Sequence, residues 1–239
     1  MKFNISGFTN TGTQRELNQD RILIQNTVFS DGADYIQEIE DCFCFVADGI
    51  GGGPAGDYAA QFVLEQIALR ISSDTKYSDD ELLNIFLSIN NKLIESGKNN
   101  IEYYGSGTTL VGIIIQQDSF KVISAGDSPA YVFRNNSMIK ITEDHVLDPF
   151  EENSPITSYF GGKNDELRLS FEIVLRDIKV DDILLLASDG LLKALSIKQV
   201  KAILSNSKPV NEKAGFILKK ALDAGAEDNI SSILIEVLE

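Results

Sequence analysis

Apolar runs in this chain end repeatedly on an aspartate beside a glycine. The pattern occurs as CFCFVA before Asp48-Gly49 and as ILLLAS before Asp189-Gly190; it is reversed at VISA before Gly126-Asp127, and a further aspartate, Asp228, stands just ahead of ISSILIEVL. Runs of this length and composition read as buried strands. A strand end in a packed domain is stiff, so an aspartate there is aimed by the scaffold. Acidic groups held this way suggest a site for hard divalent cations. An isolated Asp-Gly, by contrast, is usually only a turn.

Strand-like and helix-like segments come in blocks. Ile22 to Ile24, Cys42 to Ala47, Thr108 to Ile115, Phe120 to Ala125 and Ala130 to Arg134 are short, rich in β-branched and aromatic residues, and bounded by turn formers. Between the second and third of these, Asp57 to Ile71 carries Ala59, Ala60, Val63, Ile67 and Ile71 at helical spacing, and a second helix opens on a Ser78/Glu81 capping box and runs through Leu82, Phe86, Ile89 and Leu93. In the second half, Ile173 to Leu175, Ile183 to Ala187 and Ile230 to Leu238 read as strands. Ser196 and Gln199 cap a short helix there, and Asn211 to Ala224 is an amphipathic helix with Gly225 at its C′ position. Runs of strands with inserted helix pairs predict an α+β sandwich with helices outside. No internal repeat or linker interrupts it, so residues 1–239 are expected to form a single domain.

The chain's 239 residues, 43% of them hydrophobic, suffice for a sizeable core. A formal charge of -15, with 21 Lys+Arg against 36 Asp+Glu, argues against a nucleic-acid partner. Most of that acidity reads as ordinary solubility. Cys42 and Cys44 point to the same face of one strand, a poor geometry for a disulfide, so reduced thiols and a cytoplasmic setting are expected. No signal-peptide pattern or membrane-length apolar run occurs, so no membrane association is expected.

Gly12, Arg15, Asn18, Gln19 and Asp20, in TGTQRELNQD, resemble the first motif of the metal-dependent protein serine/threonine phosphatases, the protein phosphatase type 2C family. The resemblance continues in order through ADGIGGGPAG from Ala47, GSGTT from Gly105, AGDSPAY from Ala125, ITEDH from Ile141, ITSYFGG from Ile156, LLLASDGL from Leu184 and EDN from Glu227. One such motif is weak, since Asp-Gly is common in turns. Their order along almost the whole chain is specific, and it points to a bacterial-type, single-domain member.

The resemblance implies a four-layer α-β-β-α sandwich: two antiparallel sheets packed face to face, helices outside, and a two-metal centre at one end. It implies magnesium or manganese, for which carboxylate and carbonyl oxygens are suitable donors. Asp48 matches the carboxylate that bridges both ions, the Gly49 carbonyl a ligand to one of them, and Asp189 and Asp228 the side-chain ligands of the other. Asp20 matches an acidic position that reaches the metals through water. Asp127, with Asp189, matches a third and weaker metal position. Arg15 matches the arginine that binds substrate phosphate, a task suited to a guanidinium with parallel donors.

The implied reaction is hydrolysis of phosphoserine or phosphothreonine monoesters by direct attack of a water bridging the two ions, with no phosphoenzyme. A cysteine-nucleophile phosphatase would instead need an arginine six residues beyond its cysteine, where Asp48 and Ile50 stand after Cys42 and Cys44. Both cysteines therefore read as core residues. Three positions depart from the family pattern. Ile50 follows Gly49 where many members have a histidine near the Asp-Gly, which leaves leaving-group protonation to a metal-bound water. Pro129 replaces an arginine after Gly-Asp-Ser, and Gln19 replaces a glutamate.

The only histidine, His145, is expected to be structural. Gly51, Gly52 and Gly53 suit a close backbone pass beside the metals, and Gly107 with Thr108 and Thr109 reads as packing near the site, since the lysine of a phosphate loop is missing. Leu147 to Gly162 is expected to include a mobile flap bordering the site, where specificity resides. The partners expected are a phosphoprotein substrate and a protein kinase or its targets, with the chain a monomer. Two other classes stay open: a catalytically silent module of this fold, and a two-metal phosphoesterase acting on small phosphate esters.

Overall fold

The computed structural model describes residues 1–50, 55–116, 119–151, 154–163 and 172–239. Gly51, Gly52, Gly53 and Glu152 lie outside these. In chain order the first strands are β1 (Phe3–Asn10), β2 (Asp20–Ile24), β3 (Thr27–Phe29), β4 (Gly32–Ile39) and β5 (Cys42–Asp48), followed by the helices α1 (Gly56–Ala68) and α2 (Asp79–Asn99). Then come β6 (Gly107–Thr108), β7 (Leu110–Gln116), β8 (Ser119–Ala125), β9 (Ala130–Arg134), β10 (Ser137–Lys140), β11 (Phe160–Gly161), β12 (Glu172–Asp177) and β13 (Ile183–Ala187). The chain closes with α3 (Asp189–Ala194), α4 (Ile197–Leu204), α5 (Val210–Asp223) and β14 (Ile230–Val237).

The strands form two six-stranded sheets, ordered β10-β9-β13-β14-β1-β4 and β12-β8-β7-β5-β2-β3, with β11 and β6 as a separate pair. Every neighbouring pair is antiparallel. Strand β5 shows why its run is apolar throughout, where an antiparallel strand with one wet face would alternate. Cys42, Cys44 and Val46 enter the core between the sheets with Ile5, Leu184 and Ile235. Phe43, Phe45 and Ala47 face the other way, under Ala59 and Val63 of α1 and Phe86 and Ile89 of α2. A matching layer packs Leu185 and Leu234 of the first sheet against Leu191 of α3, Val200 of α4 and Ile217 of α5. The result is the expected α-β-β-α order. One tight contact in it is Gly112 of β7, where an added Cβ would come within 1.9 Å of the Phe45 ring, so the ring fills the space a side chain would take.

Both predicted capping signals are present. Glu81 N donates to Ser78 Oγ and Ser78 N to Glu81 Oε2, while Ser196 N donates to Gln199 Oε1. Gly225 follows α5 with φ +100°, the left-handed stop that favours glycine. The predicted strand Thr108 to Ile115 is interrupted. Thr109 N bonds to Asp48 O, and β6 leaves to pair with β11 while β7 continues beside β5 and β8.

The register collects the acidic strand ends. Asp20 opens β2 directly opposite Asp48, which closes β5, and Leu110 and Ala125 are paired at the same end of that sheet. In the other sheet Asn10 pairs with Ile230 and Ala187 with Ser232, so Asp228 and Asp189 emerge there too. Asp127 lies in the turn between β8 and β9. No described helix is long and apolar enough to cross a membrane.

Candidate metal centre

The backbone of Asp48 is clamped before its side chain does anything. Thr109 donates its N–H to Asp48 O at 2.9 Å, Thr108 Oγ1 donates to the same oxygen at 2.9 Å, and Asp48 N donates to Thr109 Oγ1 at 3.2 Å. Thr109 Oγ1 is in turn 2.7 Å from Ser128 Oγ, which ties the clamp to the turn that carries Asp127. The GSGTT segment is thus a support for the site, as expected. Gly49 follows at a close crossing: a Cβ there would lie 2.4 Å from the Gly56 carbonyl oxygen and 2.7 Å from that of Gln19. Only glycine lets the chain pass between them.

Asp20 is 1% exposed, and its Oδ2 has no hydrogen-bond partner. Burial pushes its carboxyl up to about 6, opposed by hydrogen bonds from Ser188 and Ser231 and reinforced by the charge of Asp189. Asp48 is driven further, well above the usual carboxylate range, by burial and then by the charges of Asp20, Asp189, Asp127 and Asp228. Asp127 is held at about 6 by burial and by Asp189. Asp228 goes the other way. Burial would raise it, but hydrogen bonds from Arg15, from the Asn229 backbone and from Lys193 outweigh that and leave it below its ordinary value.

All five aspartates and Arg15 therefore gather at one end of the sandwich. A cavity of 460 Å³ is lined by Arg15, Gln19, Asp48, Gly49, Asp127, Asp189 and Asp228, and it opens beside a groove of 870 Å³ that shares Arg15, Asp127, Asp189 and Asp228. Arg15 Nε lies 2.9 Å from Asp228 Oδ1. Among the described residues no group of histidine, cysteine or carboxylate side chains already converges as a metal cage; Asp189 and Asp228 are turned toward Lys193 instead. The donor set is nonetheless oxygen only. An orphaned, buried carboxylate oxygen beside four mutually repelling acids is what a hard divalent cation relieves.

Residues 5–175 match the protein phosphatase 2C family. The chain belongs to that family. It is 27% identical over 238 residues to the serine/threonine phosphatase stp of Listeria monocytogenes, which covers 92% of this chain and 94% of that relative. It is 26% identical over 253 residues to the protein phosphatase PhpP of Streptococcus pneumoniae, covering 98% of each. Among solved structures, the serine/threonine phosphatase Stp1 from Staphylococcus aureus superposes with a TM-score of 0.83 at 26% identity, covering 98% of this chain and 95% of that one. The Staphylococcus aureus phosphatase shares the sandwich seen here.

Other expectations for a phosphatase 2C chain meet their local geometry. His145 is structural: its Nδ1 accepts from Gly126 N at 3.3 Å and its carbonyl accepts from Thr157 N at 2.8 Å. Cys42 and Cys44 are buried, unpaired core residues, and burial pushes the Cys42 thiol far up, away from a nucleophile's range. The segment expected to be a flap divides in two. Leu147, Asp148 and Glu151 form a hydrogen-bonded loop bordering the groove, whereas Phe160 is fully buried and pairs with Thr108. The second half is core because β11 needs a partner and Phe160 fills the space beside Phe86.

Two residues of the site carried no assigned role in the sequence. Asn229 was legible only as part of EDN, and it proves to be a clamp: its Oδ1 accepts from Gln19 N at 2.9 Å, and its Nδ2 donates to Thr11 O at 2.8 Å and Leu17 O at 3.0 Å. Lys193 is one helical turn beyond Asp189, a signal that exists only once α3 is known.

The raised Asp20 pKa has a stability consequence. An unfolded aspartate titrates near 3.9, whereas the folded group is held at about 6. The unfolded chain therefore loses its proton first, and Asp20 costs stability progressively as pH rises from about 4 to about 6, a cost then constant above that window. In the presence of a chelator, Asp20→Asn is expected to melt higher than wild type at pH 7, with the gap closing toward pH 4. A gap independent of pH, measured by thermal unfolding, would remove Asp20 from this account.

Proposed function

We propose that this chain is a metal-dependent phosphoprotein phosphatase that hydrolyses phosphoserine and phosphothreonine monoesters, acting through one site at the end of a single domain spanning residues 1–239. The observation that carries the reading is the gathering of Asp48, Asp127, Asp189, Asp228 and Arg15 around one cavity of a phosphatase 2C fold, with Asp20 buried opposite Asp48. Asp48 is assigned as the bridging ligand, the Gly49 carbonyl as a further donor, and Asp189 and Asp228 as the side chains that complete the pair. Asp20 acts through water, and Asp127 with Asp189 offers a third position. These residues would hold two magnesium or manganese ions, which would supply an activated water and positive charge for the phosphoryl oxygens.

The chain's own residues do the rest. Thr108 and Thr109 fix the Asp48 backbone so that its carboxylate does not reorganise. Arg15, anchored by one nitrogen on Asp228, has further N–H donors with which to hold two phosphate oxygens and orient phosphorus toward the carboxylates. The adjoining groove, bordered by Pro149, Glu151 and Ser154, gives the peptide on either side of the phosphoresidue a place to lie. A kinase or its targets are the partners this substrate class implies.

The test is a manganese-dependent assay on a phosphothreonine peptide, a nucleotide and p-nitrophenyl phosphate. The peptide should show the highest kcat/KM. Arg15→Ala should raise KM by roughly 10- to 100-fold with a smaller change in kcat, the loss of one or two charge-assisted hydrogen bonds. Preference for the nucleotide would make the chain a small-ester phosphoesterase, and no turnover of any substrate would make it a silent module.

A further inference from the structure

Lys193 holds a cation between two of the assigned acids. Its Nζ lies 2.7 Å from Asp189 Oδ2 and 3.2 Å from Asp228 Oδ2, so one ammonium spans two carboxylates that come from different parts of the chain. The local structure builds this bridge. Helix α3 opens on Asp189, which puts Lys193 one turn later on the same face, and the turn into β14 brings Asp228 to meet it. Asp228 Oδ1 is already committed, to Arg15 Nε at 2.9 Å and to Asn229 N at 2.9 Å. The oxygen left to Lys193 is therefore Oδ2. Lys193 lines both the inner cavity and the outer groove, so its ammonium points into the site. A plain surface pair one turn apart on a helix would involve Asp189 alone; the reach to Asp228, 35 positions on, is what marks this lysine out.

We infer that Lys193 is a built-in competitor of the metal at the Asp189–Asp228 pair, and so a residue that sets how tightly that position holds its ion. This rests on the assignment of Asp189 and Asp228 as metal ligands. Both oxygens of Asp228 are engaged, Oδ1 by Arg15 and Asn229 and Oδ2 by Lys193, so an ion that binds this carboxylate through Oδ2 must displace Lys193 from it. Lysine suits the task, being a compact charge on a flexible four-carbon stem, and its half-exposed side chain has solvent to move into. Two consequences follow. The position binds its ion more weakly than its carboxylates alone would, and when the ion is stripped the ammonium returns to neutralise the acids and protect the fold. The site then loads only where the divalent ion is plentiful.

The experiment is calorimetric titration of chelator-treated, buffer-exchanged full chain with Mn²⁺, comparing wild type with Lys193→Met, Lys193→Gln and Lys193→Arg. Met and Gln variants are expected to bind Mn²⁺ about fivefold tighter or more at one position, while Arg stays near wild type. In chelator the Met and Gln variants should melt lower than wild type, and Mn²⁺ should raise their melting temperature by more. Adding Asp189→Asn to either should erase the gain. Two uncharged variants of different polarity separate the effect of charge from any disturbance of packing. Equal or weaker Mn²⁺ affinity in both overturns the role of Lys193 alone. No Mn²⁺ uptake by wild type or any variant overturns the ligand assignment, and this inference with it.

Discussion

Asp48→Asn is expected to lower kcat/KM on a phosphothreonine peptide by about a thousandfold or more, while making the chelated protein more stable. Both effects follow from one position. Asp48 feels the charges of Asp20, Asp189, Asp127 and Asp228 together, which with burial push its carboxyl well above the usual range. It is the acid that the other four surround. A neutral amide there removes the donor assigned to both ions, and loss of several kcal/mol of transition-state charge stabilisation corresponds to about three decades in rate. The same change relieves repulsion among the acids, so the melting temperature in chelator should rise, and the further rise on adding Mn²⁺ should disappear. Steady-state kinetics and thermal unfolding with and without Mn²⁺ read both. Activity within tenfold of wild type would sink the assignment of Asp48, and a lower melting temperature in chelator would show that repulsion among these acids is not what burial of Asp48 costs.

How much of this was legible beforehand depended on how local each signal is. The runs ending at Asp48 and Asp189 declare buried strands because both faces of their sheets are covered, so the apolar pattern has no gaps to misread. Helices α2 and α4 carry their own start signals in Ser78/Glu81 and Ser196/Gln199. By contrast β1 mixes Phe3, Ile5 and Phe8 with Asn4, Ser6, Gly7 and Asn10, which dilutes its strand pattern; it is fixed as a strand because eight of its residues pair in register with β14 at the far end of the chain. Strand β4 is a partly exposed edge whose Tyr35, Ile36 and Ile39 are set among Gly32, Asp34, Gln37 and Glu38, and β11 is two residues held by β6. Pairing of this kind is a property of distant partners, and no window of sequence contains it.

The site divides the same way. The aspartates were visible as a pattern, yet their unequal environments were not. Asp20 and Asp127 are raised to about 6 while Asp228 is pulled down, and the difference is made by Arg15 and Lys193, which reach Asp228 from two other segments, and by the backbone N–H of its neighbour Asn229. Asp189 looked like a strand-end residue and is the first residue of a helix. That single turn of helix is what delivers Lys193 to the carboxylates.

Asn229→Ala is expected to destabilise the protein by about 3 kcal/mol and to raise KM, although Asn229 is assigned neither to metal nor to phosphate. The residue is 7% exposed, and its side chain makes three hydrogen bonds, from Gln19 N and to the carbonyls of Thr11 and Leu17. Truncation leaves three backbone groups without partners, and each such loss costs roughly 1 kcal/mol or more. Those bonds span the segment that carries Arg15, so loosening them frees the guanidinium from its place over Asp228. Asn229→Asp should be at least as destabilising, since it keeps an acceptor for Gln19 N but loses both donors and turns a buried carboxylate oxygen toward the carbonyls of Thr11 and Leu17, beside the other acids. Denaturant unfolding measures the first effect, and an unchanged midpoint would defeat the clamp. For the second, Asn229→Ala should raise KM in wild type but add little in an Arg15→Ala background, because the two changes then remove the same phosphate contact. Additive effects on KM would mean that Asn229 acts on the substrate by a route that does not pass through Arg15.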